Sequence, residues 1–244
     1  MTTLLHTPLS PFGRLARLAL AEDGRAAELT ELAPTEEALT AALEARDVET
    51  PLLSAAPFAL PFGAPMGPVL LTRGAAICGA EAICEYLVET REGEQGVPLL
   101  RGAPIDRAEA RRLAAWAGES FWRDAVAPAL SERFLKSVFG GEPPETPTLR
   151  EAAEAARRHL DAAGGLIEAR GWLAGERVSL ADFALAAQIS VLDYLGAWPF
   201  YPGDAPDPAR DWYALIKSRP AFRGILADRS PRLPPSEAYQ ELDF

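Results

Sequence analysis

Few residues of this 244-residue chain have the type and spacing to do covalent chemistry. Its two cysteines, Cys78 and Cys84, are spaced neither as a Cys-x-x-Cys redox pair nor as half of a zinc site, and buried free thiols are the expectation for both. No metal site is expected. Ser10, followed by Pro11, has the form of a helix N-cap with proline at the first helical position. The run Arg133-Phe134-Leu135-Lys136-Ser137-Val138-Phe139 interleaves basic and aromatic residues, a composition suited to hot spots facing an acidic partner. Its other reading puts Phe134 and Val138 in the core and leaves Arg133 and Lys136 solvated. The tail from Pro234 to Phe244 is too short and too proline-punctuated to build a core of its own. It brings Tyr239, Leu242, Asp243 and Phe244 either against the body of the protein or against a partner.

The elements that must carry these residues follow from periodicity. Leu4-Leu5-His6 leads through a proline-containing turn into a helical stretch with Leu15, Leu18 and Ala19 on one face. Residues 27–32 alternate as a second strand, and 36–45 have helical composition. Five prolines between Glu49 and Pro68 exclude a continued helix and predict a long loop. Val69 to Cys78, turning at Arg73-Gly74, reads as a β-hairpin, and Ala80, Ile83, Cys84 and Leu87 mark the next helix. The order is βαβαββα. A glycine- and proline-rich linker at 93–104 then separates residues 1–92 from an all-helical remainder, 105–244, whose tail begins near residue 230. In that remainder a long helix or broken pair is expected from Arg107 to Phe139 with a bend at Pro128, and a second helical region from Leu149 to Arg170. Ser179, with Asp182 three residues later, predicts a strongly capped, almost wholly apolar core helix running through Leu195.

Composition bounds the function classes. Hydrophobic residues make up 48% and charged residues 24%, ordinary for a soluble globular protein, and no apolar run reaches the length of about 18 residues needed to cross a bilayer. The first residues lack the basic and apolar segments of a secretory signal, so a cytoplasmic location without membrane insertion is expected. A net charge of −11 argues against nucleic-acid binding, which needs a basic face.

A thioredoxin-like βαβαββα half joined to a helical half containing Trp172-Leu173-Ala174-Gly175, Ser179 and Ala181-Asp182 resembles the glutathione S-transferase superfamily over nearly the whole chain. The resemblance implies an α/β thioredoxin-like domain followed by an all-α domain. It places Pro68, before Val69, where the family carries a cis-proline beside its glutathione site. It also places Ser10 where the family's Ser, Tyr or Cys stabilises the glutathione thiolate, so catalysis and simple capping both remain open for this residue. Gly13 fills the second cysteine position of a thioredoxin motif, which excludes dithiol chemistry. The family binds the γ-glutamyl group through an acidic residue and a serine in the pattern Glu-Ser-x-Ala-Ile-x-x-Tyr-Leu. Here that segment reads Gly79-Ala80-Glu81-Ala82-Ile83-Cys84-Glu85-Tyr86-Leu87. Two lost charge-assisted contacts at about 1.5–3 kcal/mol each would weaken glutathione binding more than about a hundredfold.

A narrower resemblance fits this departure. Ile77 to Ala80, Ala108 to Leu113, Ala187 to Gly196, Lys217 to Arg223 and the ending Tyr239 to Phe244 are similar to a family of bacterial division proteins. That resemblance implies a non-catalytic homodimer, acting without a cofactor at the division site, that binds FtsZ filaments and couples them to septal wall synthesis. The alternative is a transferase that conjugates glutathione to a hydrophobic electrophile.

Overall fold

The structure is a computed structural model and describes residues 2–46, 48, 67–72, 75–91, 96–140, 142–200, 206–230 and 232–241. The chain forms two compact units, Met1–Val97 and Pro98–Phe244, dividing inside the glycine- and proline-rich segment expected to be a linker. The expected loop over 49–66 and the turn at Arg73-Gly74 lie outside the described residues.

The first unit is a four-stranded sheet in the order β2-β1-β3-β4, built from β1 (Thr3–His6), β2 (Glu28–Glu31), β3 (Val69–Thr72) and β4 (Ala75–Cys78). β1 and β2 are parallel, and β3 runs antiparallel to both β1 and β4. The parallel pair needs a crossover, supplied by α1 (Pro11–Asp23), while α2 (Glu36–Glu44) follows β2 and α3 (Ala80–Glu89) closes the unit. Sequence chemistry sets both ends of α1. Ser10 accepts from the Gly13 amide at 3.1 Å, and Gly24 takes φ 78° to end the helix, a conformation glycine adopts without steric penalty. Central β1 is buried along its length, as a strand paired on both sides and covered by helices must be. Leu5, Leu39, Leu43 and Val69 form one core cluster of this unit.

The second unit is helical. α4 (Pro104–Trp116) continues without interruption through a π-helical stretch Ala117–Val126, α5 (Ala127–Leu130), a second π-helical stretch Ser131–Leu135 and α6 (Lys136–Val138). Pro128 therefore does not break the helix. Proline lacks an N–H and crowds the carbonyl four residues back, and the chain absorbs this by widening around it, with the Ala127 amide bonded to the Trp122 carbonyl five residues earlier. α7 (Thr146–Arg170) begins one turn before the expected Leu149. α8 (Leu180–Tyr194) is buried at every position, which explains why its apolar series shows no polar face. α9 (Pro208–Lys217), capped by Asp207, packs against it, and α10 (Arg223–Leu226) follows in the chain.

The start of α8 is held by one carboxylate. Asp182 Oδ2 accepts from Ser179 N at 2.8 Å and Ser179 Oγ at 2.9 Å, and Oδ1 accepts from Leu173 N at 3.1 Å and Trp212 Nε1 at 2.9 Å. Burial pushes the Asp182 pKa above its ordinary value, and these four donors oppose that shift by stabilising the charge. No helix among the described residues is long and apolar enough to cross a membrane.

Candidate functional site

Sheet register gathers the first group of predicted residues. Leu5 of β1 pairs with Val69 of β3, and Val69 in turn pairs with Cys78 of β4. Ser10, Pro68 and Gly79 therefore all leave the sheet at the same end, and the Gly79 amide bonds to the Pro68 carbonyl at 2.9 Å. This is the place where a thioredoxin-like sheet offers a thiol-binding site, and its chemistry can be read residue by residue.

Ser10 is fully buried and occupied as the N-cap of α1. Gly13 sits tightly, since a Cβ there would lie 3.2 Å from both His6 Cβ and the Thr7 carbonyl oxygen. Packing as well as sequence thus keeps a second thiol out of this motif. Val69 is buried. None of the described peptide bonds is cis, so the bond before Pro68 is trans, unlike the cis-proline implied by the resemblance.

Gly79 is the N-cap of α3 with φ 93° and ψ 141°, and makes no side-chain cap. Space is not the limitation, because a Cβ there would meet nothing within 4 Å. The backbone conformation is. A glutamate in that φ range would be strained by roughly 1–3 kcal/mol, a cost in stability that glycine avoids. Ala80 beside it is buried and apolar. Neither residue brings a polar side chain to the γ-glutamyl position.

The two thiols sit in different surroundings. Cys84 is buried as expected, and burial pushes its pKa up, against the thiolate. Cys78 departs from the expectation: it lies exposed on the edge strand β4. No group of three or more His, Cys, Asp or Glu residues able to hold a metal occurs among the described residues.

The basic and aromatic run in the second unit does not present a continuous surface. Phe134 is 5% exposed and belongs to the core, which removes it from any partner-binding face. Arg133 Nη1 donates to the Leu195 carbonyl at 2.7 Å, and Lys136 pairs with Glu132 at 2.7 Å and Glu145 at 3.3 Å. Of the four predicted contacts, only Phe139 is an exposed large hydrophobic. In the tail, Tyr239 is fully buried and its hydroxyl donates to the Ile225 carbonyl at 2.8 Å, so this residue docks on its own unit and is not offered to a partner. Leu242, Asp243 and Phe244 lie outside the described residues.

Sequence reading missed a groove of about 420 Å³ between α4, the π-helical stretch after it and α7, lined by Arg112, Leu113, Trp116, Asp124, Arg158 and His159 among others. His159 Nε2 lies 3.1 Å from Asp124 Oδ2, and its ring packs at centroid distances of 5.4 Å from Trp116 and 5.6 Å from Phe121. Nearby, Glu109 bridges the two helices, accepting from Arg112 at 2.8 Å and Arg170 at 3.0 Å. Among the described residues, no Ser, Thr, Cys or Lys nucleophile lines the groove. The residues are 35 positions apart for the His–Asp pair, so only the packing of separate helices brings them together.

Comparison with known proteins agrees with this architecture. Two family models match, "Glutathione S-transferase, N-terminal domain" over residues 4–95 and "Glutathione S-transferase, C-terminal domain" over residues 126–220. FtsZ-localized protein A of Caulobacter vibrioides is 40% identical, covering 99% of this chain and 98% of that protein. The solved structure of FzlA from C. crescentus superposes with a TM-score of 0.81 at 37% identity, covering 100% of this chain and 99% of the other. A glutathione S-transferase structure from Sinorhizobium meliloti 1021 gives a TM-score of 0.79 at 37% identity with both chains fully covered. The chain belongs to the glutathione S-transferase superfamily. Within it, the chain falls in the branch that includes FtsZ-localized protein A.

Proposed function

We propose that this protein is a non-catalytic cell-division scaffold that binds FtsZ filaments at the division site and couples them to septal wall synthesis. The observation that carries the reading is the full-length similarity to FtsZ-localized protein A, 40% identity over 99% of the chain. Gly79 and Ala80 agree with it, because neither brings a polar side chain to the position that would hold glutathione. The protein works as a homodimer in the cytoplasm and uses no cofactor. Its filament-facing contacts include Phe139 and the residues beyond 241. Removing 242–244 leaves the melting temperature unchanged, since Tyr239 keeps its anchor, but impairs division. A fluorescent fusion tests the assignment in dividing cells: it gathers at midcell when FtsZ is present and disperses when FtsZ is depleted. A diffuse signal in cells with intact FtsZ rings overturns it.

A second reading, a glutathione transferase acting on a hydrophobic electrophile, is favoured by the similarity to the Sinorhizobium meliloti glutathione S-transferase and by the place of Ser10 at the start of α1. Calorimetric titration with glutathione separates the two. Saturable binding, lost in Ser10→Ala, supports the transferase; no binding at millimolar glutathione supports the scaffold.

A further inference from the structure

α8 and α9 bury a charge that no glutathione or filament chemistry requires. Lys217 Nζ, at the end of α9, lies 2.9 Å from Asp193 Oδ2 of α8, with the two side chains 0% and 2% exposed. Tyr213 Oη donates to the same Asp193 oxygen at 3.1 Å. Above the ammonium lie two rings, Tyr213 with its centroid at 5.9 Å and Tyr239 at 5.8 Å. The carboxylate and the negative faces of the rings offset part of the cost that burial imposes on the ammonium, and the same burial keeps the amine from solvent.

Tyr239 belongs to the tail, and the tail is tied down along its length by backbone-directed bonds. Tyr194 Oη accepts from Ser230 N at 2.8 Å and donates to the Leu233 carbonyl at 2.7 Å. Ser236 N bonds to the Tyr194 carbonyl at 2.9 Å, and Ser236 Oγ donates to the Asp193 carbonyl at 2.8 Å. Tyr239 packs edge-on against Tyr194 at 5.0 Å. Thus Asp193 and Tyr194, adjacent on α8, hold respectively the buried ammonium and the tail that covers it.

We propose that Ser230 and residues 232–241 form a strap latched over Lys217, in which the Tyr239 ring excludes water from the Lys217–Asp193 pair, and that the strap opens and closes as one piece while the helices beneath it stay folded. Opening the strap exposes the lysine. Closing it fixes the point from which the chain continues past residue 241. Bonds to Tyr194 and Asp193 are shared among Ser230, Leu233 and Ser236, so losing the Tyr239 anchor loosens all of them together.

The sequence supplies a direct probe, since Lys136 and Lys217 are the only lysines. Amine acylation followed by mass spectrometry reads both, with partly exposed Lys136 as the internal control. In the full-length protein Lys136 labels promptly and Lys217 is protected. Tyr239→Ala raises the Lys217 labelling rate at least tenfold with Lys136 unchanged and a cooperative melt retained, whereas Tyr239→Phe, which keeps the ring, stays protected. Hydrogen exchange on the unaltered protein gives a second test: the amides of Ser230, Ser236 and Tyr239 exchange at one common rate, faster than those of α8. Continued protection of Lys217 in Tyr239→Ala overturns the latch. Strap amides that exchange only with the α8 core, or at unrelated rates, overturn opening as one piece, including in the case where Tyr239→Ala fails to fold.

Discussion

Asp182 and Gly79 show how much a single residue can decide in this fold. Asp182 satisfies four donors with one carboxylate, two on each oxygen. Asparagine offers one acceptor oxygen and turns an NH2 toward the remaining donors, so Asp182→Asn is expected to cost about 2–4 kcal/mol, read from the urea unfolding midpoint. Ser179→Ala removes only one of those donors and costs less. Gly79 works through its backbone. At φ 93° a Cβ is strained even in open space, and Gly79→Ala is expected to destabilise by about 1–3 kcal/mol although no atom stands in its way. Because that strain weighs on folding and not on ligand binding, Gly79→Glu with Ala80→Ser is expected to regain calorimetric glutathione binding while lowering the unfolding midpoint. No binding by that pair would show that the site lacks more than these two side chains.

Elements were legible in the sequence where their signals are local. The cap at Ser179 and Asp182 spans three residues, so its pattern survives without knowledge of the fold, and the same holds for Ser10 at α1 and for the hairpin strands around 73–74. Contacts between helices were not legible. Nothing in the spacing of Asp193 and Lys217, or of Asp124 and His159, marks them as partners, because their meeting depends on how α8 packs on α9 and how the stretch after α4 packs on α7. The run around Arg133 left two readings open, interface or core, and the structure takes the core reading for Phe134, which the helix turns inward, while Arg133 reaches a carbonyl of its own unit. Of the two readings for 107–139, a long helix or a broken pair, the long helix is what forms, and the π-helical turns on either side of α5 that accommodate Pro128 were not legible in the sequence.

The α4–α7 pairing carries a pH dependence of its own. Hydrogen bonding from Arg112, opposed by partial burial and reinforced by Arg170, lowers the Glu109 pKa to about 2. A carboxylate with a depressed folded pKa stabilises fully above its unfolded value, about 4.3, and loses that contribution as pH falls toward 2. The groups are largely solvent-accessible, so the effect is limited to about 1 kcal/mol or less. Glu109→Gln is therefore expected to lower the melting temperature slightly at neutral pH and to match the unaltered protein near pH 2. A gap that persists or widens at low pH would contradict this account of the bridge.

At the scale of the whole molecule, the two-unit architecture and its superfamily were legible from end to end, since element order and the Trp172–Asp182 segment are properties of the chain. At Gly79 and Ala80, where the chain departs from the family's pattern, the sequence registered the missing side chains but not the φ of 93° at Gly79. One fold can carry many functions, so the architecture by itself does not choose between scaffold and transferase. The most direct test is co-sedimentation of the purified protein with GTP-assembled FtsZ filaments from the same organism, run with and without millimolar glutathione. The account predicts that the protein pellets with filaments, saturably and to the same extent in both conditions; protein that stays in the supernatant while the filaments pellet would contradict it.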